Sequence, residues 1–63
     1  MKWYRKAAEQ GYVNAQISLA RMYEEGLGVR QDMRIAKEWY GKACDNRSGL
    51  GCYYYKDLNE QGY

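Results

Sequence analysis

The 63-residue sequence contains no histidine, no proline and no phenylalanine, and only two cysteines, Cys44 and Cys52. Without an imidazole it lacks the side chain most often used as a general base near neutral pH. Two thiols fall short of the four ligands of a structural zinc site, and no histidine makes up the number. Neither Ser18 nor Ser48 is followed three positions on by lysine, so no Ser-x-x-Lys nucleophile pair is present. No run approaches the ~20 apolar residues of a spanning helix. The stretch MKWYRKAAEQ starts positively but has none of the apolar core of a signal peptide. Ten basic and eight acidic residues are interspersed for a net charge of +2. That excess is too small to argue for nucleic acid or an anionic membrane and reads as a solvated, mixed-charge surface. The expectation is a chain without catalytic residues, metal or cofactor and without membrane insertion.

What is present is aromatic and periodic. Eight tyrosines and two tryptophans supply large apolar area with a polar tip, suited to half-buried seams between helices. A chain this short buries only about 60% of its unfolded surface, so its core is marginal and needs a staple, a partner or more chain. Setting KWYRKAAEQG at Lys2 against EWYGKACDNR at Glu38 aligns Trp3 with Trp39, Tyr4 with Tyr40, Lys6 with Lys42, Ala7 with Ala43 and Ala8 with Cys44. A period in the mid-thirties is that of helix–turn–helix solenoid units. Within it, Ile35, Ala36, Trp39, Tyr40 and Ala43 draw one apolar stripe. Trp3, Tyr4, Ala7 and Ala8 draw another. Ala15, Leu19, Met22 and Tyr23 share a face, with Ala20 at its margin. Asp32 sits where an N-cap or first-turn acid is wanted, and Gly11 and Gly26 where a positive φ closes a helix. In GLGVRQ, Leu27 and Val29 are placed to tuck back between helices. The reading is all-α, an αα-hairpin repeat with about four helices at 2–10, 13–25, 32–44 and 50–60. The helix at 2–10 is the second of one unit, 13–44 a full unit, and 50–60 a capping helix.

The stretch YEEGLGVRQDMRIAKEWYGKA resembles the Sel-1-like repeat, a relative of the tetratricopeptide repeat. The family pattern is met by Tyr23, Gly26, Gly28, Val29, Asp32, Ala36, Trp39, Tyr40, Lys42 and Ala43, and WYRKAAEQGYVNAQISLARMY supplies a second match. The resemblance implies an αα-solenoid that acts as an adaptor, binding a protein or peptide partner on its concave face.

Cys44 ends one helix and Cys52 lies in the first turn of the next. Helix ends joined by a short turn bring two Cα atoms within the ~4.4–6.8 Å of a disulfide. The spacing is not Cys-x-x-Cys, and no feature nearby lowers a thiol pKa. With a glycine just before the second cysteine, the pair resembles the cysteine-rich secreted branch of the family, the Helicobacter cysteine-rich proteins, where such pairs are bridged within each repeat. That branch implies a Cys44–Cys52 disulfide and a bacterial periplasmic or secreted setting. Two reduced, buried thiols in a cytoplasmic protein are the alternative. The branch has also been associated with β-lactam binding and weak hydrolysis, the second functional reading. No nucleophile and base here supply that chemistry.

At the repeat offset Ala20 becomes Lys56 and Tyr23 becomes Asn59, so the last helix has the polar outer face of a cap. With a half-unit at its start, the chain reads as the C-terminal part of a longer array, or as a short form that makes a homodimer through its N-terminal edge. The candidate partner-binding surface is the row Asn14, Ser18, Arg21 and Glu25 with Leu50, Tyr54, Asp57 and Gln61 one period later. Tyr54 beside Arg21 is its expected centre. Tyr55, which aligns with Leu19, is expected to pack inward. Glu9, Glu24, Glu25, Glu38 and Glu60 read as solvated charges.

Overall fold

The computed structural model describes Lys6 and residues 9–63. It contains three α-helices in chain order, α1 (Val13–Glu25), α2 (Met33–Asp45) and α3 (Gly49–Glu60). There is no strand among the described residues. The helix expected at 2–10 and its stripe of Trp3, Tyr4, Ala7 and Ala8 lie largely outside the described residues. Inside them, Lys6 and Glu9 are helical and the Gln10 amide donates to the Lys6 carbonyl at 3.2 Å. The remaining helices fall within a residue of expectation. Among the described residues no helix is long and apolar enough to cross a membrane.

Several boundaries have a local cause. Asp32 stands just before α2 rather than inside it, and its carboxylate accepts from the Arg34 and Ile35 amides at 3.0 and 3.1 Å. Ser48 caps α3 through the Gly51 amide at 3.0 Å. At the end of α1, Gly26 takes φ 70° and the Leu27 amide donates to the Met22 carbonyl at 2.9 Å. Further on, the Asp32 amide returns to the Tyr23 carbonyl at 2.9 Å, which ties the cap of α2 to the last turn of α1. Val29 in this loop packs against the core, but Leu27 is exposed, contrary to expectation. The fold-back is made by backbone hydrogen bonds and one valine, so Leu27 is left to point outward.

Helix α2 lies in the middle, with α1 on one side and α3 on the other; no comparable packing joins α1 to α3. Fully or nearly fully buried are Leu19, Ala20 and Tyr23 of α1, Ala36, Tyr40 and Ala43 of α2, and Leu58 of α3. Ala20 is therefore central and not marginal, while Ala15 and Met22 are only half-buried. The buried face of α1 is turned toward Gln16 and Ala20 because small or hydrogen-bonded residues permit close approach there. Gln16 accepts from the Asn46 side chain at 3.2 Å.

Of the glycines, Gly51 sits in the closest approach. A Cβ there would stand 2.8 Å from the Ala43 Cβ and 2.9 Å from both the Cys44 nitrogen and the Tyr40 carbonyl oxygen. Glycine lets the first turn of α3 lie directly on the last turns of α2. One residue later, Cys52 is disulfide-bonded to Cys44, with Cα atoms 4.4 Å apart. The loop between them is closed tightly, with Arg47 at φ 70° and the Ser48 amide donating to the Ala43 carbonyl at 3.0 Å.

Candidate functional site: the surface shared by the first and third helices

Tyr40 is the residue that organises this surface. It is fully buried on α2, and its hydroxyl donates to Glu24 Oε1 at 2.8 Å. Its ring stacks on that of Tyr54 with centroids 4.9 Å apart. Burial first, then the hydrogen bond to Glu24 and that residue's charge, push the Tyr40 hydroxyl pKa well above its ordinary value, with Arg21 acting in the opposite sense. Glu24 of α1 and Tyr54 of α3 thus meet through one α2 side chain, although their own helices scarcely touch. Tyr53 stands edge-on to Tyr54 at 5.3 Å and is 66% exposed.

Of the expected partner-binding residues, Asn14, Arg21 and Glu25 are exposed on α1 and Ser18 is half-buried. Arg21 and Glu25 form an ion pair at 3.9 Å, one helical turn apart. Leu50 and Asp57 of α3 and Gln61 at its C-cap are exposed, and Gln61 donates to the Asp57 carboxylate at 3.0 Å. Tyr54 is half-buried, since one face of its ring is spent on Tyr40. Arg21 reaches this group through the field it exerts on Tyr40.

Tyr55 departs from expectation: it is 39% exposed and lies across Gly41 of α2. Successive helical residues point about 100° apart, so Tyr54 and Tyr55 straddle the seam between α2 and α3. The inward positions of α3 are taken by Gly51 and Leu58. On the Tyr55 side a groove of about 410 Å³ is lined by Glu38, Gly41, Lys42, Cys44, Asp45 and Tyr55. In a neighbouring depression the Lys37 ammonium lies 5.4 Å from the Tyr55 ring centre. It also donates to Asn59 at 2.8 Å and to the Tyr63 carbonyl oxygen.

Sequence reasoning did not assign Glu24 and Tyr53 to this surface, nor buried Tyr40 to the link beneath it. One signal was available. A tyrosine on a buried stripe needs a partner for its hydroxyl, and an acid on the neighbouring helix is the natural acceptor. Among the described residues no group of His, Cys, Asp and Glu is arranged to hold a metal ion.

A layer of helices with a central helix flanked by a neighbour on each side is the arrangement expected of a helical repeat unit. Comparison makes the class specific. The Sel1 repeat family model matches residues 1–12 and 13–48, and the chain belongs to that family. It is 39% identical over 49 residues, 73% of its length, to a chitin synthase regulator SKT5 of Malassezia restricta. It is 40% identical over 45 residues, 71% of its length, to the chitin synthase regulator SKT5 of Saccharomyces cerevisiae. The chain spans only 3% and 6% of those two proteins. No solved structure matches it. These relatives are fungal and lend no support to a bacterial source or to the β-lactam reading.

Proposed function

We propose that the chain is a non-enzymatic adaptor module that binds a protein partner on the surface formed by α1 and α3. The observation that carries this reading is the Glu24–Tyr40–Tyr54 chain, which joins the exposed rows of two otherwise separate helices into one continuous, laterally fixed surface. Arg21 and Glu25 border it on α1, and Leu50, Tyr53 and Asp57 on α3. Tyrosine and arginine together are the residue types on which interface energy concentrates. The name of the fungal relatives, regulators of a chitin synthase, fits a repeat that works by contact.

The Cys44–Cys52 bond further supports a working form in an oxidising compartment, because reducing compartments keep such pairs as thiols. Intact mass after alkylation of unfolded protein, with and without reductant, checks this: both thiols blocked until reduction is the expected result.

The surface itself is tested by placing a photo-crosslinking residue at Leu50 or, on the opposite side of the seam, at Arg34, in cells that produce the protein. Protein adducts from Leu50 but not from Arg34 are expected. Adducts only from Arg34 would move the surface to the other side, and no protein adducts from either would sink the adaptor reading.

A further inference from the structure

The chain carries a net charge of +2, yet among the described residues carboxylates outnumber cations on the surface shared by α1 and α3. Among the described residues, Glu24, Glu25 and Asp57 lie on it with Arg21, which Glu25 already pairs, and with Lys56 at its edge on α3. Other described cations stand away from it. Arg34 and Lys37 border the depression around Tyr55 and Tyr63, and Lys42 lies over the Trp39 ring at 5.4 Å. Lys56, at the edge, shares its depression with Glu60 as well as with Tyr53 and Asp57.

Electron-rich ring faces are set among these carboxylates. Tyr53 is largely exposed, and Tyr54 presents the side of its ring that Tyr40 does not cover. Glu24 is held in place by the Tyr40 hydroxyl through one oxygen. A carboxylate has two oxygens, so the second is free to take a charge-assisted bond from an incoming donor, with no side chain left to order on binding. Exposed tyrosine rings beside fixed carboxylates are a receptor for a guanidinium or ammonium group.

We propose that this surface binds a basic peptide segment, with an arginine or lysine seated over the Tyr53 and Tyr54 rings and its charge directed at Glu24. The proposal rests on the reading of the surface as a partner-binding one. An acidic segment would bring carboxylates against Glu24, Glu25 and Asp57, a like-charge juxtaposition that costs affinity. A second copy meeting this surface by two-fold symmetry would set the same acids against themselves.

The oxidised full-length chain is titrated with fluorescent peptides that differ only at a few spaced positions, occupied by arginine, glutamine or glutamate. The arginine peptide is expected to bind about tenfold tighter than the glutamine peptide or better, and to weaken steeply with added salt. Glu24→Gln, which keeps an acceptor for Tyr40, and Tyr53→Ala, at an exposed ring, are each expected to weaken it about fivefold. Lys37→Gln, across the seam, leaves it unchanged. Equal binding of all three peptides, no binding of the arginine peptide, or binding indifferent to Glu24→Gln and Tyr53→Ala overturns the proposal. So does preference for the glutamate peptide, or a dimer seen in sedimentation that Tyr53→Ala dissolves. Protein adducts formed from Leu50 would survive these results, so the basic partner fails separately from the surface.

Discussion

Tyr40 does two jobs with one side chain: its ring fills the centre of the layer, and its hydroxyl fixes Glu24. The two are separable by Tyr40→Phe, which keeps the ring and removes the donor. The loss is expected to be about 1 kcal/mol, the usual net value of such a bond. The effect is pH-dependent in a defined sense. A tyrosine pKa raised on folding means that the folded state holds its proton more tightly than the unfolded chain does, where the group titrates near 10. Its contribution is complete below about pH 10 and is lost as pH rises above that value. Urea unfolding of both proteins at pH 8 and near pH 11 tests this, as order-of-magnitude settings either side of the unfolded value. The wild-type advantage should shrink at the higher pH. An advantage that stays constant or grows would show that Tyr40 does not titrate on unfolding.

At the scale of elements, the junction of α2 and α3 sets the register of the third helix, and two nearby glycines should respond oppositely to alanine. Gly51→Ala puts a methyl group within 2.9 Å of the backbone of α2 and is expected to destabilise by about 1–3 kcal/mol. Gly49→Ala meets nothing within 4 Å and is expected to be neutral or to stabilise by a few tenths of a kcal/mol, through helix propensity. The melting temperature should fall for Gly51→Ala and hold or rise for Gly49→Ala; equal losses would mean that α3 does not sit this close. The disulfide acts at the same junction. Closing so short a loop contributes about 2.5 kcal/mol in the chain-entropy model, a large share of what a small domain has. Reduction, or the Cys44→Ser/Cys52→Ser pair, should lower unfolding free energy by roughly that amount and speed amide exchange in α3 more than in α1. The helices, their order and the cap at Asp32 were legible in the sequence, because each rests on a local signal of apolar period or short polar residue. The pairing of Cys44 with Cys52 was legible as a permitted geometry that family resemblance sharpened. The exchanged settings of Tyr54 and Tyr55, the exposure of Leu27 and the burial of Ala20 were not. They depend on how far each helix is rotated about its axis, which is fixed by close approach at Gly51 and by the Gln16–Asn46 bond between helices. Glu24 was misread for the same reason: a charge near a helix end looks solvated until a neighbouring helix brings it a donor.

For the whole molecule, among the described residues the arrangement is a line and not a ring: α1 packs on α2 and α2 on α3, no comparable packing joins α1 to α3, and Tyr40 touches a side chain of each. Stability in such a layer is a sum of neighbour terms, so the end helix should open without the rest. Leu58 is the one large apolar side chain of α3 that is fully buried, and Leu19 holds the same status on α1. Either truncated to alanine should cost about 2–5 kcal/mol, but the losses should be distributed differently. With Leu58→Ala, native-state hydrogen exchange should show α3 amides opening at much lower free energy while α1 and the first turns of α2 keep most of their protection. Leu19→Ala removes the packing that anchors the hairpin, and protection should fall in both α1 and α2. If the two variants instead lower protection uniformly along the chain, the helices fold as one inseparable unit. The surface shared by α1 and α3 would then be rigid because the whole layer is cooperative. If the distributions differ as expected, that surface is held together at one point, by Tyr40. A partner spanning both rows would then add what the linear arrangement lacks, a direct coupling of the first helix to the third, and should slow exchange in α3 on binding.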